Sequence, residues 1–408
     1  MAASARSIFI SLTRNSRNRT TGVSRSLSSS SASRENEIDS VDSPDSLVVA
    51  ENIENDDLKS QIIRLRLPKR SATTVLEKWV SQGKQLTGSD LRDISRELRK
   101  FQRYKHALEI SEWMIAHKEF EVSDSDFATR IDLMTKVFGI DCAERYFESL
   151  PPNSKTSETY TALLHVYASS KLVVQAEDLF DRALESNVPL NAITFNEMMT
   201  LYMSVGQAEK VPSIVEELKL RKVEPDLFTY NLWISSCAST MNIKEVRTIL
   251  NEMVHFYGSK EDWVRYIDLV NVYLNIGNFD SIGSSSNSMV GSEKGITQRE
   301  WITYDFLVIL FGGFGNKDKL DQIWKSLKMT KQKMIGRNYT CIISSYLILG
   351  YLKEVSEIID EWKQSGETQF DIHACKRLLK AFADVEMVET AKNFHQVLTD
   401  QGCYTNEL

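Results

Sequence analysis

The side chains of this chain that could do chemistry are few and scattered. Five cysteines, Cys142, Cys237, Cys341, Cys375 and Cys403, are odd in number and form no C-x-x-C pair. They fit buried thiols in a reducing compartment better than disulfides or a zinc site. The six histidines have no ligand spacing, so neither a metal nor another cofactor is expected. Gly312-Gly313-Phe314-Gly315 has the glycine density of a phosphate loop, but no Gly-Lys-Ser/Thr follows and no strand precedes it, and it reads as a turn between helices. Seven tryptophans, among them Trp113, Trp233, Trp301, Trp324 and Trp362, could stack on bases. The apolar area that an indole buries favours core packing instead. No paired acid and base and no nucleophile constellation remains, so an enzyme is not expected.

At 408 residues, 42% hydrophobic and 26% charged, the chain can bury a sizeable core. Its longest apolar stretch, residues 306–314, is far short of the roughly 18 residues that span a bilayer. The net charge of -7 argues against gripping nucleic acid through bulk electrostatics, which needs clustered Lys and Arg. Any contact with a polyanion must be local.

The first 34 residues carry six arginines, Arg6, Arg14, Arg17, Arg19, Arg25 and Arg34, with many serines, and the first acid of the chain is Glu35. This reads as an organellar transit peptide. Ile8, Phe9, Ile10 and Leu12 lying among the arginines favour mitochondria over chloroplasts, and Arg25-Ser26-Leu27-Ser28 resembles a mitochondrial processing site. Removing residues 1–27 takes away five arginines and no acid, changing the net charge from -7 to -12. Residues 35–71 are expected to form an acidic disordered linker, with nine Asp or Glu and no Lys or Arg over 35–57.

The rest is organised by repetition. An aromatic recurs at Tyr160, Phe195, Tyr230, Tyr266, Tyr304 and Tyr339, at spacings of 35, 35, 36, 38 and 35. A second series follows seven residues later, at Tyr167, Tyr202, Cys237, Tyr273, Phe311 and Tyr346. Seven residues is about two helical turns, so both members share a helix face. Gly206, Gly277, Gly315 and Gly350 come four residues after that series, where a left-handed residue can close a helix. A second amphipathic segment then begins, such as Val355, Ile358, Ile359 and Trp362, and Pro189 and Pro225 precede the next unit. Each unit is helix, turn, helix, loop. One helix pair cannot bury its apolar face alone, so the units must stack into a superhelix of either hand, with the first helices lining a concave surface.

The period of 35, with Glu158-Thr-Tyr-Thr-Ala-Leu-Leu-His-Val-Tyr167, Ala176-Glu-Asp-Leu-Phe180 and Leu190-Asn191, resembles the plant pentatricopeptide repeat, and its P-class in particular. Thr194-Phe-Asn-Glu-Met-Met-Thr-Leu-Tyr202, Glu224-Pro-Asp226 and Thr229-Tyr-Asn-Leu-Trp-Ile234 repeat the pattern. The stretch Ala72-Thr-Thr-Val-Leu-Glu-Lys-Trp79 is similar to a short mitochondrial subgroup. The resemblance implies an all-α, right-handed superhelical α-solenoid of about nine helix-turn-helix units with an N-terminal capping helix over 72–87. In this register the solenoid, 88–408, divides into 88–123, 124–156, 157–191, 192–226, 227–262, 263–300, 301–335, 336–371 and 372–406. Editing members of the family carry a zinc deaminase domain; His117-Lys118-Glu119 matches H-x-E, but no Pro-Cys-x-x-Cys follows, and no deaminase site is expected.

The resemblance also implies that each repeat reads one RNA base through two side chains, one just after the first aromatic and one closing the unit. Thr161 with Asn191 then resembles an adenine pair, Asn196 with Asp226 and Asn231 with Asp262 uracil pairs, and Thr340 with Asp371 a guanine pair. Ile267 with Glu300, Asp305 with Ile335, Arg92 with Ser123, Ala128 with Thr156 and Lys376 with Asn406 match no familiar pair. The competing assignment for Asn, Asp and Thr near helix starts is ordinary capping. Residues 283–288, Gly-Ser-Ser-Ser-Asn-Ser, interrupt the second helix of the longest unit with poor helix formers, which reads either as a hinge or as a weakened repeat. Two functions follow: binding of single-stranded organellar RNA in the mitochondrial matrix, in stability, processing or translation, or a structural adaptor on the mitochondrial ribosome or other proteins.

Overall fold

The computed structural model describes residues 57–65, 71–117, 119–186, 188–240, 242–257, 259–276, 298–329, 334–365 and 370–403. The expected transit peptide, the acidic run to residue 56, Gly277, residues 283–288, the Glu300 side chain and Asn406 lie outside what is described. Among the described residues there are nineteen α-helices and no strand. They form two compact units, one holding residues 57–166 with 186, 188 and 189, the other 167–185 with 190–403.

The first unit contains α1 (Leu58–Ile63), α2 (Ala72–Ser81), α3 (Gly88–Lys100), α4 (Tyr104–Ala116), α5 (Asp124–Phe138), α6 (Ile140–Ser149) and the start of α7 (Ser157–Ser170). Local chemistry sets the helix starts. Thr87 and Asp90 form a capping box ahead of α3, and Ser123 with Asp126 forms another ahead of α5. Leu58, Ile62, Leu76, Leu91, Leu98, Ile110 and Trp113 share one buried cluster. Ala72 N donates to Glu109 Oε2 at 2.7 Å, tying the start of α2 to α4, and Arg103 Nη1 donates to the carbonyl oxygen of Leu65 at 2.8 Å. The expected linker over 35–71 therefore needs correction. Residues 58–63 are helical because Leu58 and Ile62, four apart, bury one face against α2 and α3.

The second unit holds the end of α7 and then α8 (Val173–Glu185), α9 (Ala192–Val205), α10 (Val211–Leu220), α11 (Leu227–Ser239), α12 (Ile243–Tyr257) and α13 (Glu261–Ile276). It continues with α14 (Gln298–Gly313), α15 (Lys317–Met329), α16 (Gly336–Ile348), α17 (Leu352–Gln364), α18 (Ile372–Asp384) and α19 (Val388–Asp400). Gly206 ends α9 at φ +80°, and Gly315 and Gly350 also lie in the left-handed region that a side chain disfavours. Lysines bridge second helices one repeat apart: Lys219 to Glu252 at 3.0 Å and Lys328 to Glu361 at 3.1 Å. At such exposure each contributes at most about 1 kcal/mol. Burial does more. Tyr339 stacks parallel on Trp362 with centroids 4.9 Å apart and meets Trp324 edge-on at 5.6 Å, so both tryptophans serve the core between units.

The first helices form a row in which α9 packs on α11, α11 on α14, α14 on α16 and α16 on α18. The second helices back this row, α12 on α11, α15 on α14, α17 on α16 and α19 on α18. One first helix is absent from the row. α13 packs instead across α14, α16 and α18, and also touches α12. The expected regular stacking of unit 263–300 between its neighbours is thus overturned: unit 301–335 sits directly on unit 227–262. The boundaries differ there too. Helices start directly after Thr87, Ser123, Thr156, Asn191, Asp226, Ile335 and Asp371, whereas α13 begins at Glu261 and α14 at Gln298, ahead of the expected 263 and 301.

Glycines 312 and 313 are part of this arrangement and not of a turn. Both lie in the last turn of α14, and only Gly315 takes the turn conformation. A Cβ on Gly312 would come within 2.8 Å of Leu269 Cδ1, and one on Gly313 within 2.8 Å of Tyr266 Cβ and 3.1 Å of its Cα. Their smallness lets α13 approach the α14 backbone, where Arg265 Nε donates to the Gly313 carbonyl oxygen at 3.0 Å.

Candidate nucleic-acid interface

The residues expected to act in pairs are positioned by the row of first helices, each reader one residue past the aromatic that anchors its helix. In α9 that aromatic is Phe195, fully buried edge-on to Phe180 of α8 at 5.5 Å. Asn196 follows, also fully buried, and its Nδ2 donates to Asp226 Oδ1 at 3.2 Å. Asp226 precedes α11, and the same oxygen accepts from Thr229 N at 2.7 Å and Thr229 Oγ1 at 2.8 Å. Asp226 therefore caps a helix and orients Asn196 at once, so capping and reading are not exclusive here. Asn196 Oδ1 has no hydrogen-bond partner among the described residues, nor have Thr200 Oγ1, one turn further along α9, and Ser235 Oγ, its counterpart on α11. Buried polar atoms left unpaired in this way require an explanation, and a polar ligand edge is one.

The other expected pairs are placed differently. Asn191 is exposed and caps α9, its Oδ1 accepting from Ile193 N at 3.0 Å and Thr194 N at 3.3 Å. Thr161, in the other compact unit, is half-buried and donates to the Ser157 carbonyl oxygen at 2.6 Å. Asn231 is buried on α11, and its Oδ1 accepts from the Tyr266 hydroxyl at 3.1 Å. Asp262 does not join it: this residue sits inside the first turn of α13, ion-paired with Arg265. Thr340 is buried and donates to the Arg337 carbonyl oxygen at 2.9 Å, while Asp371 caps α18 through His373 N at 2.9 Å. No hydrogen bond links Thr340 to Asp371. Of these pairs, the structure joins Asn196 with Asp226.

Two sets of residues that matched no familiar pair are engaged in contacts within the protein. Arg92 forks onto Asp126, Nε to Oδ1 at 3.0 Å and Nη2 to Oδ2 at 2.8 Å, and Ser123 Oγ donates to the same carboxylate at 2.9 Å. Asp305 is buried and accepts from Arg337 Nε at 2.9 Å, Asn338 Nδ2 at 2.7 Å and the Tyr273 hydroxyl at 2.9 Å. Burial, and for Tyr273 the nearby Asp305 carboxylate, push the Tyr266 and Tyr273 hydroxyls well above their ordinary pKa, so both remain donors. Sequence reasoning missed these tyrosines as partners of reader positions because it took them as core aromatics. The adjacent glycines at 312 and 313 were the available signal of a close helix approach.

No group of His, Cys, Asp and Glu suited to a metal occurs among the described residues, and no described helix is long and apolar enough to cross a membrane. The PPR repeat family model matches residues 190–239, and the PPR repeat model matches 158–188, 228–256 and 337–367. A pentatricopeptide repeat-containing protein of Arabidopsis thaliana, named as mitochondrial, is 58% identical over 357 residues, 87% of this chain and 87% of that protein. A second Arabidopsis thaliana pentatricopeptide repeat-containing protein is 31% identical, covering 86% of this chain and 72% of its own length. Among solved structures, a pentatricopeptide repeat protein in complex with an 18-nucleotide psaJ RNA element matches with 14% identity and a TM-score of 0.37. That match covers 82% of this chain and 48% of the other. Helix pairs at a 35-residue period, matched repeats along the array and a relative at 58% identity over most of both lengths lead to one conclusion: the chain belongs to the pentatricopeptide repeat family.

Proposed function

We propose that this protein binds single-stranded RNA in mitochondria and acts by occupancy, holding a strand open, protecting it from nucleases or presenting it for processing or translation. It is a binding protein and not an enzyme. The observation that carries this reading is the Asn196–Asp226 pair, a short amide held by a capping carboxylate on a first helix, with Asn196 Oδ1 buried and without a hydrogen-bond partner among the described residues. An unpaired acceptor beside a fixed amide matches the donor and acceptor edge of an unpaired base, uracil in this case, once the strand is seated against α9. The basic first 34 residues, proposed as a transit peptide, and the name of the 58% identical relative support mitochondria. With a net charge of -7, affinity rests on such local contacts more than on phosphate neutralisation.

The wider proposal is a preference for A-U-U-n-n-G, read 5′ to 3′ from the N-terminus, with Thr161 and Asn191 on adenine, Asn196 and Asp226 on the first uracil, Asn231 and Asp262 on the second, and Thr340 and Asp371 on guanine. Gel-shift titration of the full chain with an RNA oligonucleotide carrying this core and with single-base variants tests it. Replacing the first uracil is expected to weaken binding about tenfold, and Asn196→Ala to erase that difference, since one lost bidentate contact is worth about 1–3 kcal/mol. Equal binding to all oligonucleotides, with co-sedimentation on mitochondrial ribosomes, would favour the adaptor role.

A further inference from the structure

Tyr266 and Tyr273 lie seven residues apart on α13 and point the same way. Tyr266 donates to Asn231 Oδ1 at 3.1 Å and Tyr273 to Asp305 Oδ2 at 2.9 Å. Asn231 and Asp305 occupy on α11 and α14 the place that Asn196 occupies on α9, one residue past the recurring aromatic. Two equivalent tyrosines, Tyr202 and Tyr346, have other partners. Tyr202 donates to Glu177 of α8 at 2.9 Å and Tyr346 to Asp321 of α15 at 2.6 Å, each reaching a second helix 25 residues back. Tyr273 reaches 32 residues forward to a first helix instead. With α13 lying across α14, α16 and α18, and glycines 312 and 313 making room for it, these two hydroxyls complete a fitted seat.

We infer that α13 is a built-in occupant of the base-facing side of the array: while it is seated, Tyr266 and Tyr273 fill the hydrogen-bonding positions of Asn231 and Asp305, and RNA engages those units only by displacing it. This rests on the RNA-binding reading above. The seated protein then reads a short strand through units before 227, and the longer footprint requires α13 to leave. Asp305, already accepting from Arg337, Asn338 and Tyr273, has no vacancy for a base until Tyr273 withdraws.

The test uses the full chain, the RNA oligonucleotide with the A-U-U-n-n-G core, and the double variant Tyr266→Phe/Tyr273→Phe, which keeps both rings and removes both hydroxyls. Hydrogen exchange of residues 261–276 and maleimide labelling of Cys341, which is buried beside Asp305 with its Sγ 3.4 Å from the Asp305 carbonyl oxygen, report whether α13 is seated. The expected result is slow exchange and labelling in the free wild type, at least tenfold faster exchange on RNA binding, and roughly tenfold tighter RNA binding by the double variant. Tyr202→Phe, which removes the equivalent hydroxyl on α9, should leave RNA affinity unchanged. Gly313→Ala, whose Cβ meets Tyr266, is a second route to unseating the same helix and should also tighten binding. Unchanged exchange of 261–276 in the RNA complex while Asn231→Ala weakens binding overturns the inference. Wild-type affinity in variants whose α13 exchanges faster overturns it equally, and both results leave the RNA-binding reading intact. Absence of RNA binding by wild type and variants alike overturns that reading, and this inference with it.

Discussion

α9 and α13 look like copies of one element: each has the recurring aromatic, a second aromatic seven residues later and a run of buried apolar side chains. In the structure they hold different stations. α9 stands in the row of first helices, and its Tyr202 hydroxyl turns outward to a half-exposed carboxylate, Glu177, that also pairs with Lys210 at 2.8 Å. α13 lies across the row, and its Tyr273 hydroxyl turns to a buried carboxylate locked to Arg337. Identical local patterns thus specify a helix and its apolar character, while its station depends on which neighbours leave room for it. Beside α13 the neighbour carries Gly312 and Gly313, where the corresponding positions after Tyr202 and Tyr346 hold Met203 with Ser204 and Leu347 with Ile348.

The sharpest way to break this comparison is through the two carboxylates. Asp305→Ala leaves the Arg337 guanidinium, 11% exposed, without its counter-charge and is expected to cost about 3–5 kcal/mol in denaturant unfolding. Glu177→Ala, at a side chain 35% exposed, should cost under about 1 kcal/mol. Equal losses would mean that α13 is seated no more deeply than α9. Next in size are the glycines. Gly313→Ala should cost about 2 kcal/mol by overpacking against Tyr266. Gly350→Ala, where nothing lies within 4 Å but φ is +77°, should cost about 1 kcal/mol through backbone strain alone. Thermal unfolding of both variants separates contact from strain.

The smallest effects come from pH and compare a paired carboxylate with an unpaired one. Burial would raise Asp126, but Arg92 and Ser123 outweigh it and hold the carboxyl below its ordinary value. Its contribution is therefore present above the unfolded pKa of about 4 and is lost as pH falls through the lower folded value. Asp126→Asn should cost about 1 kcal/mol at pH 7 and converge on wild type in acid. Asp268 of α13 is raised by burial, with no ion pair to offset it among the described residues. The sign reverses: the penalty exists above its raised folded pKa and is relieved as pH falls through it. Asp268→Asn should stabilise the protein at pH 7 by less than about 1 kcal/mol, a gain that disappears in acid. A destabilised Asp268→Asn variant would show that this carboxylate has a partner.

Much of the fold was legible because a repeat states its local rules several times over. The aromatic spacing located the first helices, the glycines at 206, 315 and 350 marked turns, and Asn191, Asp226 and Asp371 stood at helix starts, where their short oxygens accept from free backbone N–H groups. Trp324 and Trp362 were expected in the core and are there. The candidate site was legible less evenly. Asn196 with Asp226 was placed by register and is joined, although the same register also placed Thr161 with Asn191, which bond to their own helix starts instead. Asn231 with Asp262 does not, because α13 begins at Glu261 and the register slips where the unit lengths change.

By itself the sequence determined an all-helical chain of repeated pairs, the faces those helices bury, their caps and the family to which they belong. These are local properties, set by periodicity, capping and left-handed glycines within a few turns of each residue. Only the tertiary structure decided that α13 leaves the row, that unit 301–335 sits on unit 227–262, and that Tyr266 and Tyr273 answer Asn231 and Asp305. The reason is that these are competitions between whole helices for the same apolar surface. Periodicity assigns each helix a sticky face and says nothing of which surface wins it; the outcome turns on close approach at Gly312 and Gly313 and on a buried ion pair at Asp305 and Arg337, both made by residues distant in the chain.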